Sequence, residues 1–225
     1  MAWNVDNIYG FIKWLSRKNQ SGGISAGDFF YAWNSEQYSY HEDLLGRWQN
    51  RSNGKSGANT GLILNETIMT KLAPFTIPAS LTIVDGLVTK PDNFIYTLAL
   101  RKGNYKIYQT DHSRIWAVLE DVISPPSITN NNYYYTEYED YYSLLPSSVT
   151  GNISLDYIAS CNDISWAYIL DDDDRQIYDA ANSVQPLWNQ NTIVEITKRA
   201  LKSLGVSFKD ADFQNYGQSN IKEGD

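Results

Sequence analysis

The stretch ASLTIVDGLVTKPDNFIYTLALRKGNYKIYQ, residues 79–109, decides the fold. Apolar and polar residues alternate through it with a period near two, and β-branched and aromatic residues are frequent, which is typical of strands. The alternation stops at Asp85-Gly86 and Gly103-Asn104, which favour hairpin turns, and at Lys90-Pro91-Asp92-Asn93, which favours a longer turn. We therefore predict strands at 79–84, 86–89, 94–101 and 105–109, with a further strand at 114–122.

Extended segments continue beyond this stretch. Pro125-Pro126-Ser127 and Asn130-Asn131-Asn132 interrupt the pattern as turn residues do. The extended segments that follow are predicted at 133–136, 152–158 and 165–170. Residues 75–174 are therefore predicted to form a β-rich insertion domain, mostly antiparallel.

Helical periodicity flanks the β section on both sides. Apolar residues recur three and four positions apart in 4–18, which Asn4 can cap. A second helix is predicted to begin at the Ser25-x-x-Asp28 capping box and to end at Gly46. A third is predicted at 62–72 and a last one at 193–204, where Asn189 or Asn191 can cap the start.

These elements predict an α+β fold class. The N-terminal and C-terminal helices are expected to form one discontinuous domain, a helical bundle made of residues 1–74 and 175–225 with a C-terminal arm. The insertion domain 75–174 is expected to project from it, because chain termini commonly lie close together. Asp210–Asp225 has few apolar residues, so it is expected to be a short surface helix or an arm that orders on a partner.

Charge and cysteine content exclude some classes of protein. The 225 residues carry a formal charge of -8, which does not suit a protein that grips phosphate backbones. The single cysteine, Cys161, cannot form an intrachain disulfide and is expected to be a buried apolar residue. No basic leader precedes the first apolar residues, and no stretch approaches the roughly 20 apolar residues of a membrane span. A soluble chain that needs no oxidising compartment is expected.

The residues that could support catalysis lack partners. His41 and His112 have no cysteine or second histidine at metal-ligand spacing, and the sequence has no nucleophile elbow, phosphate loop or zinc-protease motif. The run Asp171–Asp174 is the best metal candidate, but it lacks the glycine and distal glutamate of a calcium loop. A solvated turn with Arg175 as counter-charge is the preferred interpretation. No enzyme activity, cofactor or metal site is predicted.

The segment YYYTEYEDYY, residues 133–142, has six tyrosines in ten residues. This number favours a surface that a protein partner covers, since tyrosine combines a large apolar ring with a hydroxyl. An edge strand with one tyrosine face packed on the sheet and acidic residues outward is the first alternative. A sugar-binding platform is the second. The candidate interface residues, including two in the tail, are Tyr133, Tyr134, Tyr135, Tyr138, Tyr141, Tyr142, Phe213 and Tyr216.

Three sections resemble a known class of protein: residues 8–46, residues 174–213 and the β section between them. The pattern is an N-terminal helix, the turn S-G-G-I-S-x-x-D-F into a second helix, and a late helix P-x-W-x-x-x-x-I-V-E-I that ends in L-G-V. The chain resembles the small structural proteins of tailed bacteriophages, especially crAss-like phages, that form rings between the portal and the tail.

The resemblance implies a head-to-tail connector, or adaptor, without enzymatic activity. It implies a homo-oligomeric ring of about twelve copies around a DNA exit channel, in contact with the portal protein and neighbouring tail rings. DNA contact would be passive, no membrane is involved, and the protein would lie in the portal–tail region of a virion after assembly in the host cytoplasm. The alternative is a phage tail or fibre-associated module that recognises a glycan or another structural protein through its β domain. A cell-wall hydrolase is a third class, but no paired carboxylates have catalytic context.

Overall fold

The structure is a computed structural model that describes residues 3–19, 24–52 and 66–205. The described chain divides into two compact units. The first, which we call the barrel unit, is Phe75–Ser160. The second, which we call the helical unit, comprises the described residues of 1–74 and 161–205. Residues 161–174, which the sequence pattern predicts as part of the insertion domain 75–174, belong to the helical unit.

The barrel unit is built on one seven-stranded sheet. Its strands are β1 Thr76–Ile83, β2 Leu87–Thr89, β3 Phe94–Lys102, β4 Tyr105–Gln109, β5 Tyr133–Glu137, β6 Tyr141–Leu145 and β7 Gly151–Ala159. They lie in the order β1-β7-β3-β4-β5-β6-β2, and all neighbours are antiparallel except the parallel pair β4 and β5. The backbone amides of Val84 and Leu87 each donate to the other residue's carbonyl oxygen at 2.9 Å. This pair links β1 and β2, the first and last strands of the order. The sheet therefore curls into a nearly closed barrel.

Alternation along the strands fills the inside of the barrel. On β7, Ile153, Leu155 and Tyr157 are buried, and Leu155 lies beside Leu100 of β3. The register of β3 against β7 shifts twice between Phe94 and Ala99, and such irregularities bend a strand enough for a small sheet to close. The core comprises Ile83, Val88, Leu100, Ile107, Tyr133, Tyr135, Tyr142, Leu144, Val149, Ile153, Leu155, Tyr157 and Ala159.

The turn between β1 and β2 is the one that the sequence predicts. Asp85 and Gly86 both have positive φ, 52° and 76°, as a tight hairpin turn requires. A Cβ atom on residue 86 would lie 2.8 Å from the backbone oxygen of Ser147. Glycine is therefore required there both by the left-handed conformation and by the close approach of a second chain segment.

The helical unit contains four helices, and the barrel unit contains one more short one. The helices are α1 Val5–Asn19, α2 Ala26–Ser52, α3 over residues 66–72, α4 Ile115–Leu119 in the barrel unit and α5 Gln190–Ser203. The predicted starts are confirmed for three of them. The side chain of Asn4 accepts a hydrogen bond from the Asn7 amide, and the side chain of Asn189 accepts one from the Thr192 amide. The Ser25 hydroxyl accepts from the Asp28 amide and donates to the Asp28 carboxylate, so the return bond of the predicted capping box goes to the Ser25 side chain and not to its backbone amide.

Polar side chains of α2 hold the segment that follows the barrel unit. Asn34 pairs with the backbone of Ile164, donating at 3.1 Å and accepting at 2.9 Å. The buried Gln37 amide donates to the Asn162 carbonyl oxygen at 2.9 Å and accepts from the Trp188 indole at 3.3 Å. These bonds satisfy backbone groups of a segment without regular structure, so that it can be buried beside the helix. The unit also has a two-stranded ribbon, β8 Tyr168–Leu170 and β9 Gln176–Tyr178.

The predicted α+β fold class, a helical bundle with a β insertion, is wrong. The protein is a mixed α/β protein dominated by the nearly closed barrel-like sheet, whose inner face is buried within the sheet itself. The predicted strand at 114–122 is also wrong, because residues 115–119 are helical, and the predicted helix end at Gly46 is wrong, because α2 continues to Ser52. The strands β6 and β9 were not predicted. The polar, glycine-rich composition of 50–60 predicts a loop, but residues 50–52 belong to α2. Residues 53–60, the start of the third helix at 62–65 and the arm at 210–225 lie outside the described residues.

Candidate interaction surfaces

The tyrosine-rich segment forms β5 and β6, and three of its six tyrosines face the core. Tyr133, Tyr135 and Tyr142 are buried. The hydroxyl of Tyr142 lies 2.8 Å from the Thr97 hydroxyl, and its ring meets Tyr135 edge to face at 5.5 Å. Burial raises the pKa of both Tyr135 and Tyr142 well above the ordinary value. These three rings stabilise the barrel and are not at its surface, and β5 is an interior strand of the sheet, not an edge.

The other three tyrosines lie toward the outside. Tyr134 is half-buried and packs against Tyr108 of β4, with ring centroids 6.0 Å apart. Tyr138 and Tyr141 stack on each other at 4.7 Å with nearly parallel rings. The His112 ring meets the edge of this stack, 4.6 Å from Tyr138. The outward tyrosines therefore form two pairs. Phe213 and Tyr216, the other candidate interface residues, lie outside the described residues.

A charged cluster lies where β5 ends. The Glu137 carboxylate accepts from the Lys90 ammonium at 2.9 Å and from the Thr97 hydroxyl at 3.2 Å. Lys90 also donates to the Tyr138 carbonyl oxygen at 2.7 Å, and its ammonium lies over the Phe94 ring at 4.3 Å. Because the Lys90 side chain is almost fully buried and its charge is balanced by Glu137, the cluster fastens the β2–β3 turn to β5. The Glu137 carboxylate and the Lys90 ammonium therefore form an ion pair with each other.

The connection from β4 to β5, residues 110–132, carries apolar side chains into solvent. The parallel pairing of these strands requires a crossover, and this crossover includes α4. From Asp111 to Asn132 no residue of this fully described segment is buried. Trp116 is 71% exposed, Val122 is 94% exposed and Ile123 is 95% exposed. Contiguous exposed apolar residues mark surfaces that another molecule covers.

Local hydrogen bonds hold this crossover in shape. The Asp121 carboxylate accepts from the amides of Ile123 and Ser124, at 2.9 and 3.3 Å. The Asn132 side chain donates to the carbonyl oxygens of Ser124 and Pro125, at 2.8 and 3.0 Å. The turn that displays Val122 and Ile123 is thus fixed at both ends, and we call these two residues the apolar knob. The sequence prediction missed it, because the run IWAVL has the composition of a strand.

The helical unit has an apolar projection of its own, the β8–β9 ribbon. Ile169 and Ile177 are directly opposite each other on one face of the ribbon, and both are exposed. On the other face, Trp166 stacks against Tyr168 at 5.5 Å. The Trp166 indole donates to the Asp6 carboxylate of α1 at 3.0 Å. The base of the ribbon is therefore anchored while its apolar strands remain uncovered.

The acidic run Asp171–Asp174 forms the turn of this ribbon. The Asp171 carboxylate accepts from the amides of Asp173 and Arg175, at 2.9 and 2.8 Å. The Arg175 guanidinium lies 3.3 Å from the Asp173 carboxylate, and both side chains are mostly exposed. Across residues 3–19, 24–52 and 66–205, no three histidine, cysteine or acidic side chains are grouped as a metal ion would require. Asp171 organises a solvated turn.

A groove lies between α2 and the C-terminal end of α5. Its volume is about 570 Å³, and Tyr31 at its side is 81% exposed. The lining is half apolar and half polar: Ile24, Asp28, Tyr31, Ala32, Ser35, Glu36, Ser203 and Leu204. A neighbouring cleft is lined by Arg199 and Lys202 together with Glu36 and Ser203. We call the first of these the α2–α5 groove.

The nucleophile and acid–base candidates in the helical unit are core residues. His41 is buried with its ring edge-on to Trp188, and burial lowers its pKa to about 4. Cys161 is buried, and burial raises its pKa to about 12. At neutral pH the imidazole is therefore uncharged and the thiol is protonated. His112 is exposed, and its Nε2 lies 3.2 Å from the Glu137 carbonyl oxygen.

No protein-family model matches the sequence, and no curated protein matches it either. Among the helices of the described part of the chain, none is long and apolar enough to cross a membrane.

Proposed function

We propose that the chain is a non-enzymatic structural protein that packs against other protein chains, and that it forms a ring between the portal and the tail of a bacteriophage. The observation that carries the proposal is that each compact unit displays its own ordered apolar projection. The barrel unit displays Trp116 and the apolar knob, and the helical unit displays the β8–β9 ribbon. A ring subunit needs separate surfaces for its neighbours within the ring and for the rings on either side.

The charges of the chain support the same proposal. A formal charge of -8 gives a ring whose surface does not hold a passing DNA duplex, because both carry negative charge. The candidate catalytic groups support a non-enzymatic role. His41 and Cys161 are buried, and Glu137 and Lys90 are engaged with each other. No residue is assigned to DNA contact.

The experiment is light scattering and negative-stain microscopy of the protein alone and with portal and tail proteins of a tailed phage. Weak self-association alone and rings of about a dozen subunits on the portal are expected, because each ring in a sequential assembly completes the interface for the next. A stable trimer that ignores the portal and binds glycans would instead establish the fibre-associated alternative. A stable monomer in every mixture would contradict both.

A further inference from the structure

We propose that the apolar knob of one copy binds in the α2–α5 groove of the next copy, so that the ring grows head to tail through this contact. The inference rests on the proposed ring and names its subunit interface. The occupant of the groove is thus a second copy of this chain, through Val122 and Ile123.

The knob has the properties of a preformed ligand. Its two side chains are almost fully exposed, and the backbone beneath them is fixed by Asp121 on one side and by Asn132 on the other. A fixed turn loses little conformational entropy when it binds, so that most of the apolar area it buries contributes to affinity. A flexible loop of the same composition would lose much of that gain.

The groove suits two aliphatic side chains. Its volume of about 570 Å³ falls in the range of pockets that hold small ligands, about 300–1,000 Å³. Ile24, Ala32 and Leu204 provide apolar lining, and the exposed Tyr31 ring provides a wall that a bound side chain would cover. Covering an aromatic ring that is four-fifths exposed removes a large apolar area from water, so it contributes much of the binding free energy of a small contact.

Charge fixes the orientation of the knob in the groove. Glu120 and Asp121 directly precede the knob, so the turn arrives with two carboxylates. The α2 side of the groove has Asp28 and Glu36, which repel them. The neighbouring cleft, which Glu36 also lines, has Arg199 and Lys202 on its α5 side, and these cations attract them. Arg199 is shared with Asp43 at 3.3 Å and with Glu195 at 3.6 Å, whereas Lys202 is exposed. The acidic pair is therefore directed toward α5.

The interface is heterologous, because the knob and the groove are different surfaces of the chain. Each copy can use its knob on one neighbour and its groove on another, which generates a ring when the rotation closes. A twofold dimer would need a surface that matches itself, and it would end growth at two copies.

Cross-linking between single-cysteine variants tests the contact directly, even where self-association is weak. Val122→Cys and Ala32→Cys chains are mixed and treated with a short bifunctional maleimide. Cys161 is buried, so the wild-type chain is the control for background reaction. We expect a covalent dimer from the mixture at least about tenfold more abundant than from Val84→Cys with Ala32→Cys, where Val84 is an exposed aliphatic residue elsewhere on the barrel unit.

Equal yields from the two mixtures would overturn the proposal. The same pair of variants is also made in chains that end at Gly205. If the cross-link forms only in these shortened chains, segment 206–225 occupies the groove in the full chain, which would overturn the proposal as well. Circular dichroism and thermal melting of each variant confirm that the compared chains are folded.

Ring assembly separates this inference from the proposed function. Val122→Asp with Ile123→Asp places two charges where apolar contact is needed, and ring formation on the portal should fall by more than about a hundredfold in effective affinity. Rings that form normally with this variant would overturn the proposed knob–groove contact but would not contradict the connector function. If the wild type forms no rings on any portal, the proposed function fails, and the cross-linking result still decides whether copies meet through the knob.

Discussion

The tyrosine-rich strands β5 and β6 follow the crossover directly in the chain, but the two segments differ in the burial of their side chains. The strands contain six tyrosines, and three of them form the centre of the barrel. The crossover contains tryptophan, leucine, valine and isoleucine, and none of these is buried. Three hydroxyl-bearing tyrosines are therefore inside the barrel, whereas the apolar side chains of the crossover are not buried. The period of the sheet and the place of a segment in it therefore decide burial here, and hydrophobicity alone does not.

The largest expected effect is the loss of an inward tyrosine. Tyr142→Ala should lower the free energy of unfolding by about 3–5 kcal/mol, because it leaves a cavity in a closed core and removes the partner of Thr97. Tyr134→Ala is the matched control on the outer face and should cost about 1 kcal/mol, mainly its contact with Tyr108. Urea denaturation measures both, and equal costs would remove the distinction between the two faces.

An alkaline titration tests the same inward pair. Tyr135 and Tyr142 have a raised pKa in the folded protein, whereas in the unfolded chain a phenol ionises near pH 10. Their contribution to stability is therefore complete below pH 10 and is lost as the pH rises, by about 3 kcal/mol for the pair at pH 11.

The control for this titration is Tyr135→Phe with Tyr142→Phe. Denaturation at pH 9 and pH 11 should show a smaller loss for this variant than for the wild type. Identical pH dependence of the two proteins would contradict burial of these hydroxyls.

A smaller effect is expected from the side chain that fixes the crossover. Asn132→Ala removes the hydrogen bonds to Ser124 and Pro125 and should cost about 1 kcal/mol. Hydrogen exchange and limited proteolysis should both increase in 119–128. Asn130→Ala, in the same turn, should change neither measurement. Unchanged exchange in the Asn132 variant would show that the turn does not depend on this side chain.

The smallest effect is expected at the knob itself. Val122→Ser with Ile123→Ser should change the free energy of unfolding by less than about 0.5 kcal/mol, because nothing in the described part of the chain covers these residues. Ile153→Ala, a buried residue of similar type, should cost about 2–5 kcal/mol. Thermal melting compares the two. A large loss at the knob would mean that it packs within its own chain.

Local features of the fold were predictable because their causes are local. The alternation in 79–109 and the Asp85-Gly86 turn give four strands of the barrel, and three caps give three helix starts. What the sequence does not reveal is pairing. The parallel contact of β4 with β5 and the antiparallel pairing of β1 with β7 join segments that are far apart in the sequence, and no short window of residues encodes them.

The candidate surfaces show the same limit. Composition singled out the tyrosine segment, but it could not tell inward from outward rings without the register of β5 against β6. The knob escaped prediction because IWAVL followed by Val122 and Ile123 resembles a buried strand. Only its position in a crossover outside the sheet reveals that the apolar side chains are displayed. The helix end predicted at Gly46 was wrong as well, because the low helix propensity of glycine is a weak preference and α2 continues through this residue to Ser52.

The pairing of β1 with β7 has a consequence for gene architecture. Thr76, at the start of the barrel unit, pairs with Ile158, near its end, so the chain enters and leaves on adjacent antiparallel strands. A short peptide of two or three residues could join those ends, because neighbouring strands lie about 4.8 Å apart. Residues 75–160 can therefore be excised as a cassette, circularly permuted or transplanted into a surface loop of another protein at little cost in loop entropy. The barrel unit, with the crossover that it displays, could then be exchanged between related genes during evolution without changes in the sequence of the helical unit.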